Sequence, residues 1–214
     1  MSASPARRTP DHTEHVDLLV IGWGKGGKTL AGVAGRRGLR VAVVEQSDTM
    51  IGGSCINVAC VPTKALVHAA DERRETDDVE TYFAAAVERR DTLTAAMRAK
   101  NFEMLDSVDS VLLISGRAEF VGERQLAVTA GDELLHVTAD TVVINTGSQP
   151  TVPPIDGAEI GGRIHTSETI QHVSPVARRG RWWLCRSRVR VHVRPFRRDR
   201  DGARPERSPV EARG

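Results

Sequence analysis

Short apolar runs separated by glycines organise the first part of the chain. Residues 16–21, VDLLVI, form a continuous apolar run closed by glycine, which predicts a buried strand. Residues 26–37 predict a helix that ends at Gly38, and residues 41–45, VAVVE, predict a second buried strand. A strand, a helix and a strand within about 30 residues form a βαβ unit, so the first sheet is expected to be parallel and covered on both faces.

The pattern changes further along the chain. A helical stretch is predicted from Pro62 to about residue 70, and a long helix over roughly residues 82–105. Residues 110–145 then predict short strands punctuated by glycines, as in an antiparallel meander, and TVVINTG near their end predicts a strand that returns to the main sheet. The expected fold class is therefore α/β: a Rossmann-like parallel sheet with helices and a small antiparallel β-meander.

Composition and charge divide the chain into three parts. Residues 1–15 are polar and lack an apolar signal core, so we expect a disordered leader. No apolar run is long enough to span a membrane, and we expect a cytoplasmic protein with no membrane partner. The formal net charge of +2 hides an uneven distribution, because residues 178–214 contain 13 arginines and no lysine. The expected divisions are the leader, a domain over residues 16–175, and an unstructured arginine-rich tail over residues 176–214.

The glycines after the first strand fit a dinucleotide site. Gly22, Gly24 and Gly27 follow the pattern G-x-G-x-x-G. Such glycines allow a tight turn, a close backbone approach to a pyrophosphate and close packing of helix on strand. The N-terminus of the following helix offers free N–H groups to the phosphates. Glu45 ends the second strand, where it is placed to hydrogen-bond ribose hydroxyls of a cofactor without a 2′-phosphate there.

The same glycines also support a second interpretation. Residues Gly22–Thr29 spell GWGKGGKT, which fits the phosphate-loop pattern of ATPases and GTPases. Lys28 would then hold phosphates and Thr29 would bind magnesium. No later apolar strand ends in an aspartate for magnesium, since TVVIN ends in Asn145. A phosphate-loop NTPase stays an alternative, as does a glycine-rich turn that binds nothing.

Two of the three cysteines lie close together, directly after the βαβ unit. Cys55 and Cys60 are five residues apart within GGSCINVACVPTK, and the third cysteine is Cys185. Residues five apart in an ideal helix are separated by about 7.5 Å along the axis, whereas the Cα atoms of a disulfide lie within about 6.8 Å. If the two pair, the segment between them must be a distorted entry to a helix. A helix N-terminus and a nearby lysine are expected to lower their thiol pKa values.

The cysteine pair has two other interpretations. Zinc needs four ligands, and the chain has no second cysteine pair; His68 adds only one candidate, so no metal site is expected. Two buried cysteines that merely pack in a core are the remaining alternative. A nucleotide cradle beside a close dithiol favours electron transfer between a bound cofactor and a pair of sulfurs.

Four segments together carry a resemblance to a known family. DLLVIGWGKGGKTLA, VVEQ, GGSCINVACVPTKAL and VVINTGSQPTVPPIDG resemble the FAD-binding part of the pyridine nucleotide–disulfide oxidoreductases, over about residues 16–175. The likeness is strongest to the mercuric-reductase-like and dihydrolipoamide-dehydrogenase-like flavoproteins, including the reactive-chlorine-resistance branch. The resemblance implies FAD as cofactor, NAD(P)H as reductant, and a small-molecule disulfide or a metal ion as substrate.

The resemblance also implies a role for each matching position. Cys60 would be the charge-transfer thiol against the flavin, and Cys55 the interchange thiol that passes electrons to the substrate. Lys64 would lie near flavin N5. The other residues implied to bind FAD are Gly22, Gly24, Gly27, Glu45, Gly53, Ser54, Thr146 and Gly147. Ala59 and Asn145 depart from the family pattern, in which glycine and alanine are usual.

The tail departs from the family more strongly. The family continues with an NAD(P) domain, a return segment and a domain that forms a homodimer, and none of these is recognisable in residues 176–214. Read one base out of frame, codons compatible with residues 181–195 spell a turn like that of the NAD(P) domain, with a Gly-Gly forced by Trp182, Trp183 and Leu184. We expect a frameshift near residues 174–178, which would make the chain a truncated, inactive fragment.

Two alternatives to the frameshift remain. The chain could be a non-catalytic flavin-binding protein. The tail could also be a genuine basic segment, because clustered arginines bind nucleic-acid phosphates without sequence specificity. Nucleic acid is not the expected partner.

Overall fold

The computed structural model describes residues 13–152, 154–156, 160–161 and 164–173. The predicted leader up to residue 12, the arginine-rich tail with its frameshift hypothesis, and Cys185 lie outside the described residues. The first strand begins at Thr13, so residues 13–15 belong to that strand and not to the leader. These residues extend the strand because they pair in parallel with residues 136–138 of the last strand.

The described elements follow the predicted order of strands and helices. In chain order they are β1 (Thr13–Ile21), α1 (Lys25–Arg36), β2 (Val41–Glu45), a 3₁₀ turn (Asp48–Met50), α2 (Ser54–Asn57), α3 (Cys60–Glu72), α4 (Val79–Asp106), β3 (Val111–Ser115), β4 (Arg117–Gly122), β5 (Gln125–Ala130), β6 (Glu133–Ile144) and a second 3₁₀ turn (Thr169–His172). The predicted α/β class is confirmed.

All six strands form one sheet, in the order β3-β2-β1-β6-β5-β4. Strands β3, β2, β1 and β6 are parallel, and β5 and β4 extend the sheet antiparallel. The 12-residue strand β6 belongs to both parts, since its first half pairs with β5 and most of its length pairs with β1. The meander is therefore continuous with the main sheet.

Strand β3 corrects one expectation. The sequence pattern predicts the run VLLIS as part of the meander, but in the structure this run pairs in parallel with β2. A continuous apolar run suits a parallel strand, which is covered on both faces. Gly116 then separates β3 from β4, where an added Cβ would lie 2.5 Å from the Thr129 carbonyl oxygen.

Two apolar clusters cover the two faces of the sheet. Successive residues of a strand point to opposite faces, so Leu19 joins one cluster while Leu18 and Val20 join the other. The second cluster includes Ala31 of α1 and Leu105 of α4. This packing brings the N-terminus of α1 to the carboxyl ends of β1, β2 and β6, the edge where open α/β sheets bind ligands.

Within the described part of the chain, no helix is long and apolar enough to cross a membrane.

Candidate functional site

The glycine loop between β1 and α1 is held by hydrogen bonds from the side chain of Asn145, which follows β6. The Asn145 side-chain nitrogen donates to the Gly22 carbonyl oxygen at 3.1 Å and to the Gly24 carbonyl oxygen at 3.2 Å. An added Cβ would lie 2.4 Å from the Asn145 carbonyl oxygen at Gly22, and 2.5 Å from the Asn145 side-chain nitrogen at Gly27. Side chains at these two positions would therefore collide with Asn145, the residue that follows β6.

Helix α1 presents an open N-terminus at this loop. The helix begins at Lys25, its N-cap Gly24 makes no side-chain cap, and its first turn contains no acidic residue. The first N–H groups of a helix have no partner within the helix, and the helix dipole is positive there. The predicted phosphate-binding end of α1 is thus available to an anion.

A second glycine turn lies against the first one. Gly53 has a φ of 79°, and an added Cβ there would lie 2.8 Å from the Gly24 Cα atom. An added Cβ at Gly147 would lie 4.0 Å from the Ser54 Oγ atom, and one at Gly22 would lie 3.1 Å from the Thr146 Cα atom. The structure therefore brings together predicted cofactor residues from the β1 loop, the start of α2 and the end of β6.

Glu45 joins this loop to the segment that follows β2, with one carboxylate oxygen bonded to each. Its Oε2 accepts a hydrogen bond from the Trp23 backbone N–H at 3.0 Å, and its Oε1 accepts one from the Ser47 N–H at 3.1 Å. An ionised carboxylate has about four acceptor positions, so Glu45 retains capacity for ribose hydroxyls. It also fixes the loop to the end of β2.

Beyond Glu45 lies an open cleft that sequence reasoning missed. Its volume is about 540 Å³. It is lined by Gln46, Ser47, Ser115, Gly116, Arg117, Thr129 and Gly131. The signal was available, because ligands bind beyond the carboxyl ends of parallel strands and VLLIS had the apolar pattern of a parallel strand. A VLLIS strand within the meander would put no such edge here, so the sequence prediction lacks the cleft.

The two cysteines lie on either side of a break between α2 and α3. Val58 (φ −135°, ψ −4°) and Ala59 (φ −126°, ψ −96°) separate Cys55 in α2 from Cys60 at the start of α3. This is the distorted helix entry that a disulfide between Cys55 and Cys60 would require. Both cysteines are free and exposed. Ala59 has a negative φ, so its backbone does not demand the glycine that is usual in the family.

The electrostatics of Cys55 differ from the expectation. A hydrogen bond with the Cys60 side chain, followed by partial burial, raises the pKa of the Cys55 thiol. The charge of Lys25 acts in the opposite direction and is outweighed. The lowered pKa expected from a nearby lysine and helix N-terminus is therefore wrong for Cys55, because the second thiol stabilises its neutral form.

Lys64 and His68 lie further along α3. Lys64 is exposed one helical turn beyond Cys60, and its place beside a flavin stays a prediction. The His68 ring lies 3.3 Å from the Glu72 carboxylate, both exposed. Among the residues that the structure describes, no group of three or more His, Cys, Asp and Glu side chains is arranged to hold a metal ion.

The contacts of Lys28 and Thr29 are those of a helix and not of a phosphate-cradling loop. The Lys28 N–H donates to the Gly24 carbonyl oxygen at 3.0 Å, within the first turn of α1. The Thr29 hydroxyl donates to the Lys25 carbonyl oxygen at 2.7 Å. The Lys28 ammonium donates to the Asn101 side-chain oxygen, and burial followed by the charge of Lys25 lowers the pKa of Lys28. This geometry disfavours the phosphate-loop interpretation.

The sheet, the facing glycine turns and the adjacent dithiol define a class of dinucleotide-binding disulfide reductases. The chain belongs to the pyridine nucleotide-disulphide oxidoreductase family, whose model matches residues 16–187. This match runs past residue 175 into the arginine-rich segment. Members of the family are FAD-dependent oxidoreductases that use NAD(P)H, and the matched residues correspond to the FAD-binding part.

Individual relatives agree with this assignment. The probable pyridine nucleotide-disulfide oxidoreductase RclA of Escherichia coli K12 is 42% identical over 139 residues, which cover 65% of this chain and 30% of the relative. Mercuric reductase of Streptomyces lividans is 34% identical over 160 residues, covering 69% of this chain and 33% of the enzyme.

A solved structure supports the same likeness. The Cu(II) complex of the HOCl-induced flavoprotein disulfide reductase RclA from Escherichia coli superposes with a TM-score of 0.68 at 37% identity, covering 75% of this chain and 35% of that one. The chain therefore spans about a third of the length of these relatives.

Proposed function

We propose that this chain binds FAD across its two glycine turns and exchanges electrons between the flavin and the Cys55–Cys60 pair. The observation that carries the proposal is the backbone contact between Gly24 and Gly53, where a Cβ would lie 2.8 Å from a Cα atom. Backbones that approach without side chains leave room for a pyrophosphate against their N–H groups. The uncapped N-terminus of α1 lies at the same point.

The residues around the turns fit the other parts of FAD. Glu45 would accept hydrogen bonds from ribose hydroxyls, and the cleft beyond it would receive the adenine. Ser54, Thr146 and Gly147 would line the path from the pyrophosphate towards the flavin, because Gly147 lies against Ser54. Lys64 would lie on the flavin side, one turn beyond Cys60.

FAD, when bound, supplies the two-electron transfer that links NAD(P)H to the thiols, and the protein supplies orientation. Reduction of a Cys55–Cys60 disulfide takes two electrons and two protons and breaks the S–S bond. Cys55 would then attack a substrate disulfide as thiolate, forming a mixed disulfide that Cys60 resolves. Cys60 suits that step because it begins α3 directly after the break that follows α2, close enough for its side chain to raise the pKa of Cys55.

The activity of a full-length protein is part of the proposal. NAD(P)H would be the electron donor, a small-molecule disulfide or a metal ion the acceptor, and a second copy of the chain the partner. The proposed compartment is the cytoplasm, whose reducing poise keeps a catalytic dithiol available.

Titration of the purified chain with FAD, followed by flavin fluorescence, tests the proposal. We expect saturable binding that ADP competes for and that survives Lys28→Ala, because Lys28 contacts Asn101 in place of a phosphate. Colourless protein with magnesium-dependent nucleotide hydrolysis, lost in Lys28→Ala, would overturn the proposal in favour of a phosphate-loop NTPase.

A further inference from the structure

The second 3₁₀ turn, Thr169–His172, contacts the break between the two cysteine-bearing helices. The Gln171 side-chain nitrogen donates to the Val58 carbonyl oxygen at 2.7 Å and to the Ser167 carbonyl oxygen at 3.0 Å. Val58 is one of the two residues that separate α2 from α3. The side chain of Gln171, 113 residues after Val58 in the sequence, thus fixes the backbone between Cys55 and Cys60.

Arg90 anchors this turn to α4. Its Nη1 donates to the Gln171 carbonyl oxygen at 2.7 Å. Its Nε donates to the Asp91 Oδ1 atom at 2.9 Å, and its Nη2 lies 2.8 Å from the same oxygen. The Arg90 side chain is only 2% exposed. A buried guanidinium is costly unless its donors are paired, so the bond from Nη1 to the Gln171 carbonyl offsets part of the cost of burying Arg90 and holds the turn against α4. Nη2 has no hydrogen bond and only the ion pair with Asp91.

The break is also held on the side of α2. The Asn57 side-chain nitrogen donates to the Ile51 and Gly53 carbonyl oxygens, each at 3.0 Å. The Asn57 side-chain oxygen accepts from Arg98 Nη1 at 3.1 Å. Helix α4 therefore restrains the segment between the cysteines at two points, directly through Arg98 and through Arg90 with Gln171.

We propose that Gln171 is a positioning residue for the dithiol. By fixing the Val58 carbonyl, it holds the break between α2 and α3 in the single conformation that sets the position of Cys55 relative to Cys60. Releasing the break gives its backbone conformational freedom and lowers the effective concentration of one thiol at the other. The disulfide then becomes less stable relative to the dithiol. This inference rests on the proposed redox role of the pair.

The redox equilibrium of the pair tests the inference without flavin or NAD(P)H. The full chain is used in a Cys185→Ser background, so that only Cys55 and Cys60 report. Each variant is equilibrated in buffers of reduced and oxidised glutathione, and the remaining thiols are counted by mass after alkylation. The variants are Gln171→Ala and Gln171→Asn, whose amide is one methylene too short to reach Val58. Gln149→Ala is the matched control, because Gln149 is exposed.

We expect both Gln171 variants to lower the equilibrium constant for disulfide formation about tenfold, which makes the potential about 30 mV less negative. Gln149→Ala is expected to match the parent. A Gln171 that only stabilised the fold would lower the melting temperature and leave the potential unchanged. Equal potentials in the parent, Gln171→Ala and Gln171→Asn would overturn the inference and leave the proposed function intact. A parent that forms no Cys55–Cys60 disulfide at any glutathione ratio would contradict the proposed function itself.

Discussion

The side-chain nitrogen of Asn145 lies 3.1 Å from the carbonyl oxygen of Gly22, and so couples the end of β6 to the loop after β1. The same nitrogen also reaches the Gly24 carbonyl oxygen. The loop that Asn145 holds leads into the start of α1, whose N-cap Gly24 makes no side-chain hydrogen bond. A family departure noted in the sequence thus has a structural role in holding the loop.

Replacing Asn145 by alanine is expected to weaken FAD binding. Each hydrogen bond contributes about 0.5–1.5 kcal/mol, and about 1.4 kcal/mol corresponds to a tenfold change in Kd. We expect Asn145→Ala to raise the Kd for FAD about tenfold in fluorescence titrations. Thr141→Ala, at an exposed position of β6 four residues before Asn145, serves as the control. Equal affinity in both variants would mean that Asn145 does not order the loop for binding.

Comparing Gly53→Ala with Gly38→Ala distinguishes the cost of backbone strain from the loss of the FAD site. Gly53→Ala combines a positive φ with a clash against Gly24, whereas Gly38→Ala has a φ of 90° and nothing within 4 Å of the added Cβ. Strain of this kind costs about 1–3 kcal/mol. In denaturant titrations we expect Gly38→Ala to lose that amount and keep its FAD affinity. Gly53→Ala should lose more stability and most of its FAD binding; retention of parental affinity would place the pyrophosphate elsewhere.

The pH dependence of Cys55 alkylation tests the hydrogen bond between the thiols. That bond stabilises the neutral Cys55 thiol and raises its pKa, so removing it favours the thiolate. Cys60→Ala, in a Cys185→Ser background, is expected to shift the midpoint of Cys55 alkylation to lower pH. Cys60→Ser, which keeps a hydroxyl, should shift it less. A midpoint that stays in place or moves to higher pH would show that Cys60 does not control Cys55.

The origin of residues 176–214 stays a prediction, since they lie outside the described residues. The nucleotide sequence across codons 170–200 and the following several hundred bases decides between the two accounts. A second frame that encodes an NAD(P) domain and then a dimer domain is the expected result. A closed or unrelated second frame would mean that the arginine-rich tail is genuine, and binding to nucleic acid would then be measured.

Local patterns predicted most of the fold but not the contacts between distant segments. The apolar runs of β1 and β2 and the helix between them carry their own signal, since burial on both faces requires uninterrupted apolar residues. VLLIS carried the same signal, but the glycines around it resembled those of a meander. No periodic pattern in the sequence indicates the hydrogen bond from Gln171 to Val58. It joins a side chain and a backbone carbonyl that only the tertiary fold brings together.

In the candidate site, too, local sequence patterns could be interpreted but contacts between distant side chains could not be predicted. The spacing of Cys55 and Cys60 predicted a broken helix if the two form a disulfide, and the structure contains such a break. The raised pKa of Cys55 could not be predicted, because it depends on which side chain its thiol meets. Asn145 was visible only as a departure from a pattern, and its two carbonyl contacts follow from the pairing of β6 beside β1.

The most direct test of the proposed flavin–dithiol site is the absorbance of the FAD-loaded chain after its cysteines are reduced. A thiolate against the flavin gives a long-wavelength charge-transfer band. We predict that this band is present in the Cys185→Ser chain, persists in Cys55→Ser and disappears in Cys60→Ala. FAD-loaded protein that lacks the band, or a band unaffected by loss of Cys60, would contradict a flavin seated against this dithiol.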